Sequence, residues 1–241
     1  MSNPVFVALD TTETGHAAAL AARLGGLVGG IKLGLEFFTA QGPAGIQAVA
    51  GLGQRLFLDL KLHDIPNTVA GAMRGIARLA PHFTTVHASG GSAMMAAAVE
   101  AGRDEAAKLG LPPVKVLAVT VLTSLDEAAI RAVGFTGPVL DQVKRLAELA
   151  QRAGVDGLVC SPHEVAALRA QVGPGLTLVV PGIRPVWSES GDQKRVMTPR
   201  QARDLGADIL VIGRPITAAA DCAAAARRIV EDLEGTPCPS P

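Results

Sequence analysis

Leu56-Phe-Leu-Asp-Leu-Lys-Leu-His-Asp-Ile-Pro-Asn67 opens as an apolar run, passes into a cluster of charge, and is followed by an Ala-rich segment with helical spacing. The same unit recurs along the chain. Runs rich in Val, Ile, Leu and Phe lie at about Val5–Leu9, Gly30–Gly34, Leu56–Leu60, Thr84–His87, Val116–Thr120, Gly157–Cys160, Leu178–Pro181 and Ile209–Ile212. Runs this continuous suit strands buried on both faces, as in a parallel sheet covered by helices. Eight of them alternating with helices over 241 residues predict an α/β fold, a single-domain (β/α)8 TIM barrel. An open doubly wound sheet competes, but no Gly-x-Gly-x-x-Gly follows the first strand. The barrel is expected to span 1–234, with 235–241 a flexible C-terminal tail.

Helix starts are legible. Ser161-Pro-His-Glu164 and Thr198-Pro-Arg-Gln201 each offer a capping hydroxyl, a Pro at the first helical position and a reciprocal acceptor three residues on. Ser124-Leu-Asp-Glu127 has the same spacing. Fourteen residues separate Ile183 from Thr198, among them Arg184, Trp187, Gly191, Gln193 and Arg195. On the strand-exit side of a barrel, a loop of that length reads as a lid, with Trp187 as its anchor.

Composition bounds the function. Lys+Arg and Asp+Glu are 22 each, so the basic excess of a nucleic-acid binder is missing. Aromatics are 3%, with no Tyr and one Trp, which argues against base-stacking platforms. Hydrophobic residues at 49% exclude a disordered tail protein. Cys160, Cys222 and Cys238 form neither a metal spacing nor an even framework, so a reducing compartment is expected. No basic segment precedes the first apolar run, and the longest uncharged stretch, Leu79–Val99, contains Pro81, His82 and a Ser-Gly-Gly-Ser turn. The expectation is a cytoplasmic protein with no membrane span.

In a (β/α)8 barrel, chemistry sits where strands end. The polar residues at those exits are Asp10, Lys32, Asp59, Lys61, Asp64, His87, Thr120, Thr123, Arg184 and Arg214. Residues two apart in a strand share a face, so Asp59 and Lys61 are expected to point together into the barrel mouth. Lys32 and Asp10 end neighbouring strands, and Asp64 follows in the loop. The expectation is an array of five charges of alternating sign. Its alternative is a structural salt-bridge network closing one barrel end, although desolvating five charges together is costly without a function. His63 and His87 read as structural or supporting groups, Cys160 as a buried apolar residue, and Met94 and Met95 as packing.

Asp59-Leu-Lys61-Leu-His-Asp64-Ile-Pro-Asn-Thr68 resembles the D-x-K-x-x-D-I-P-N-T signature of the orotidine 5′-phosphate decarboxylases. The likeness extends to Val7-Ala-Leu-Asp10, Ile31-Lys32-Leu-Gly, Val86-His-Ala-Ser-Gly-Gly91, Val121-Leu-Thr-Ser124, Pro181-Gly-Ile-Arg184, Asp192-Gln193 and Ile212-Gly-Arg214-Pro, in the family's order. The resemblance implies conversion of orotidine 5′-phosphate to UMP and CO2 with no metal or organic cofactor. It implies Lys61 as proton donor, Asp59 beside the departing carboxylate, and Lys32 and Asp10 on the ribose side. It further implies Thr123 at the pyrimidine, Arg184, Gln193, Gly213 and Arg214 holding the phosphate, and Pro181 as a further substrate contact. Asp64, with Ile65 and Thr68, is implied to complete the site of a homodimer partner. Related sugar-phosphate enzymes share the Asp-x-Lys-x-x-Asp cluster, but those that bind magnesium carry a carboxylate where this chain has Lys32. A catalytically dead barrel that binds nucleotides or a partner protein is the remaining alternative.

Overall fold

The computed structural model describes residues 3–188 and 197–235. Its strands are β1 (Val5–Ala8), β2 (Gly30–Gly34), β3 (Leu56–Leu62), β4 (Phe83–His87), β5 (Lys115–Val119), β6 (Gly157–Val159), β7 (Thr177–Val180) and β8 (Ile209–Ile212). They close in sequence order into one barrel, every neighbour parallel and β8 paired to β1. The described helices are α1 (Thr14–Leu24), α2 (Leu35–Ala50), α3 (Pro66–Ala77), α4 (Ser92–Leu109), α5 (Glu127–Ala132), α6 (Val139–Arg152), α7 (Val165–Val172), α8 (Pro199–Asp204), α9 (Arg214–Thr217) and α10 (Cys222–Glu234). The expected (β/α)8 architecture is therefore the one formed.

Because each strand is covered on both sides, the core is double. Between sheet and helices lies a large aliphatic layer that includes the fully buried Met94, Met95 and Cys160. Inside the barrel lies a smaller cluster built on Phe6, Phe57 and Phe83. Their ring centroids are 5.6–6.4 Å apart in edge-to-face arrangements, the geometry that ring quadrupoles favour. Gly30 makes the fit: a Cβ there would lie 2.5 Å from the Phe6 ring. Gly157 does the same for Leu117, whose Cδ2 would be 2.8 Å away. Burying an aromatic of this size contributes about 1.5–3 kcal/mol, so the plug is a main source of barrel stability. It fills the inner positions at the strand starts. The inner positions two residues further on, Lys32 and Asp59 among them, meet the mouth.

The helix caps follow the sequence with one correction. At α8 the box closes in both directions: Thr198 N–H donates to Gln201 Oε1 at 3.1 Å, and Gln201 N–H donates to Thr198 Oγ1 at 3.2 Å. Before α7, Glu164 accepts from Ser161 N–H at 2.8 Å. Ser124, however, does not cap α5. Asp126 does, accepting from Ala128 and Ala129 N–H at 3.1 and 2.9 Å. The reciprocal acceptor is diverted, since Glu127 accepts from Val139 N–H at 3.0 Å instead.

The expected lid begins and ends on the barrel. Ile183 and Met197 form a parallel bridge, and Arg184 N–H donates to Met197 O at 3.0 Å. Trp187 packs against the core with the Arg228 guanidinium 4.9 Å over its ring. Gly191, Asp192, Gln193 and Arg195 lie outside the described residues, as do Cys238 and residues 236–241 of the expected tail. Gly235 ends α10 in a left-handed conformation, φ 84°. Among the described residues, no helix is long and apolar enough to cross a membrane.

Candidate active site

Asp59 is the hub of the strand exits. Its Oδ2 lies 2.9 Å from Lys61 Nζ and 3.6 Å from Lys32 Nζ, and Lys32 Nζ lies 3.6 Å from Asp10 Oδ1. Lys32 and Asp59 side chains are 12% and 13% exposed, whereas Lys61 is 30% exposed. The inner pair is thus desolvated while the outer ammonium still reaches the cavity. Burial alone would raise the Asp59 carboxyl. The charges of Lys32 and Lys61 and the hydrogen bonds from Lys61 and Thr85 outweigh it and hold the carboxyl below its ordinary value.

Period-2 spacing leads to the right neighbours through a backbone that is not regular. Between β3 and β4 the register runs from Leu58 opposite Thr84 to Leu62 opposite Val86, so four residues of β3 cover the rise of two on β4. Lys61 sits in this bulge at φ +49°, a left-handed conformation uncommon outside glycine. Thr85 occupies the gap: its Oγ1 donates to Asp59 Oδ1 at 2.8 Å and accepts from Lys61 N–H at 2.9 Å. Nothing in the sequence reading singles out Thr85. Its signal is the alternation Phe83, Thr85, His87, which places it on the inner face of β4.

A cavity of about 250 Å³ opens over the array. From β1–β3 it is lined by Asp10, Lys32, Asp59 and Lys61; from the later strand exits by Thr123, Pro181, Arg184, Gly213 and Arg214. Val121, Leu122, Cys160 and Ile183 supply an apolar wall that sequence reasoning does not distinguish from ordinary core. Burial, and then the nearby Arg214 guanidinium, lower the pKa of Arg184. With the Arg214 charge near enough to disfavour that of Arg184, an anion bound here would relieve repulsion as well as accept hydrogen bonds. The cavity therefore combines an Asp/Lys array, two guanidiniums and an apolar wall.

Four of the five expected charges meet; Asp64 does not. It is exposed and away from the cavity, and its Oδ1 accepts from Ile65 N–H at 2.7 Å. Ile65, 66% exposed, and Thr68 share that outward surface. Gln193 lies outside the described residues. Thr120 is buried and donates to Val159 O at 3.2 Å, a structural role. His87 is half-buried with its ring 5.4 Å from that of His63, away from the cavity lining. Burial first, then His63 and Lys61, lower its pKa, with Asp59 opposing. Burial pushes the Cys160 thiol up, which makes it inert wall rather than nucleophile.

A model of the Orotidine 5′-phosphate decarboxylase / HUMPS family matches residues 3–229. The orotidine 5′-phosphate decarboxylase of Paramagnetospirillum magneticum is 67% identical over 97% of this chain and 99% of its own length. That of Rhodospirillum rubrum is 58% identical over 97% and 95%. The crystal structure of orotidine 5′-phosphate decarboxylase from Lactobacillus acidophilus superposes with a TM-score of 0.86 at 37% identity, covering 96% of this chain and 99% of that one. With nearly the whole length matched in sequence and in fold, the chain belongs to the orotidine 5′-phosphate decarboxylase / HUMPS family.

Proposed function

We propose that this protein decarboxylates orotidine 5′-phosphate to UMP and CO2, the final step of de novo UMP synthesis, without metal or organic cofactor. The observation that carries the reading is the Lys61 ammonium, 2.9 Å from Asp59 at the rim of a cavity that is also lined by Arg184 and Arg214. The bond between the pyrimidine ring carbon and the carboxylate breaks, its electron pair stays on the ring carbon, and CO2 leaves. The Lys61 ammonium stabilises that charge as it develops and then delivers a proton to the same carbon. Lys61 recovers its proton from solvent. Asp59, acceptor-only while ionised, stands beside the departing carboxylate, and Lys32 and Asp10 bind the ribose side.

Phosphate binding falls to Arg184, Gly213 and Arg214, with Gln193 as a further phosphate ligand and Pro181 as a further substrate contact. Binding energy from the phosphate, remote from the bond that breaks, can be spent on orientation at the base. Thr123 contacts the pyrimidine. The exposed run Asp64, Ile65 and Thr68 supports a homodimer in which these residues complete the partner's site. The protein acts in the cytoplasm, on a small-molecule substrate, with neither nucleic acid nor membrane as partner.

A divalent-metal reaction on sugar phosphates is disfavoured by Lys32. Its Nζ lies 3.6 Å from both Asp10 and Asp59 carboxylates, so the space between them already carries positive charge. The test is loss of orotate absorbance on incubation with orotidine 5′-phosphate, no metal added and EDTA present. Turnover unchanged by EDTA is expected. Activity that appears only with Mg²⁺, or only with a sugar phosphate, overturns the reading.

A further inference from the structure

The Asp59–Lys61 pair carries a geometric problem that its own strand does not solve. The two side chains must meet at 2.9 Å although the strand is bulged between them and Lys61 itself is left-handed. Such a conformation persists only when its surroundings over-determine it. Regular strand pairing is interrupted there, so the ladder that would fix Lys61 N–H is replaced by one side-chain oxygen.

That oxygen belongs to Thr85, which is fully buried and absent from the cavity lining. A hydroxyl has one donor and two acceptor positions. Thr85 spends the donor on Asp59 Oδ1 at 2.8 Å and an acceptor on Lys61 N–H at 2.9 Å. It therefore fixes the carboxylate plane of one partner and the backbone of the other from a third point, on a neighbouring strand. Valine has the same shape and offers neither bond. Serine offers both.

We propose that Thr85 is a positioning residue for the reaction, holding the Asp59 carboxylate and the Lys61 backbone in the relative geometry that proton delivery needs. This rests on the decarboxylase reading above. Because Thr85 does not line the cavity, its loss should slow the chemical step and leave substrate affinity alone. Asp59 also receives one fewer hydrogen bond, so its titration should move upward when the hydroxyl is removed.

The experiment compares Thr85→Val, Thr85→Ala and Thr85→Ser with the parent protein in steady-state turnover of orotidine 5′-phosphate, beside a carboxyl-carbon NMR titration of Asp59. For Thr85→Val, kcat should fall by about 10- to 100-fold with KM within about threefold, the scale of a lost hydrogen bond to a charged group. Thr85→Ser should recover most of that loss. The Asp59 titration should lie higher in Thr85→Val and return in Thr85→Ser. If Thr85→Val fails to fold, Thr85→Ala against Thr85→Ser carries the same comparison. A kcat in the hydroxyl-less variant equal to the parent's, or a Thr85→Ser variant equally slow, overturns the proposal. A parent protein without turnover overturns the decarboxylase reading instead, and the NMR titration then decides whether Thr85 holds the carboxylate.

Discussion

Asp59-Leu-Lys61 and Asp64-Ile-Pro-Asn-Thr68 fall within ten residues of one another and meet opposite fates. The first half is gripped from three strands: Lys32 on β2 and Thr85 on β4 both reach Asp59 on β3. The second half turns outward: Asp64 Oδ1 accepts from the adjacent Ile65 N–H at 2.7 Å, and the isoleucine is 66% exposed. The difference teaches where preorganisation comes from. A charge held by neighbouring strands is aimed before substrate arrives. A charge on an exposed helix start is aimed only when something else covers it, and in the proposed function that cover is a second copy of the chain.

The largest expected effect breaks the first half. Lys61→Ala should lower kcat by at least ~10⁴-fold, since it removes both the proton donor and the charge facing the carbanion. UMP should still bind, measured by calorimetry; near-normal turnover would remove Lys61 from its role. The next tests the second half. Asp64→Ala should cost roughly 10²- to 10³-fold in kcat, the scale of one charged group at the reacting centre. If the site is shared, mixing Asp64→Ala with Lys61→Ala chains and allowing subunit exchange should restore activity that neither has alone. No recovery after exchange would mean that Asp64 serves its own chain or none.

The cations at the last two strand exits provide a contrast to both halves. Arg214→Ala should impair orotidine 5′-phosphate by about 10- to 100-fold relative to the bare nucleoside, the worth of one hydrogen bond to a charged group. Equal losses on the two substrates would place the phosphate elsewhere.

The smallest effect concerns stability and acid. The native Asp59 carboxyl titrates below its ordinary value of 3.8, so its contribution is present above that value and is lost as pH falls through the lowered native one. The melting-temperature gap between the parent and Asp59→Asn should therefore be widest near neutrality and narrow below about pH 4. A gap that stays constant through that range would mean that the Lys32 and Lys61 contacts do not favour the ionised form.

Much of the barrel was legible because strands buried on both faces must be apolar throughout, and β2 and β8 fall at the expected residues. β3 runs past its expected end to Leu62, since pairing with β4 resumes there beyond the bulge that holds the charged residues. Asp10, Lys32, Asp59 and Lys61 were legible as strand-exit charges, and Arg184 and Arg214 as cations at the last two exits. Thr85 was not, because a threonine inside a strand looks like any β-branched residue and its use depends on a bulge in the strand beside it. Ser124 was misread for a related reason: Asp126 competes for the same helix start, and only the position of Val139 draws Glu127 away.

By itself, the order of apolar runs and exit charges determined the closed parallel barrel and the end at which its polar residues collect, because burial and strand periodicity are local properties of the chain. Only the tertiary structure decided which charges touch. The left-handed Lys61, the hydroxyl between two strands and the outward turn of Asp64 all arise from the register between β3 and β4, which depends on residues distant in sequence.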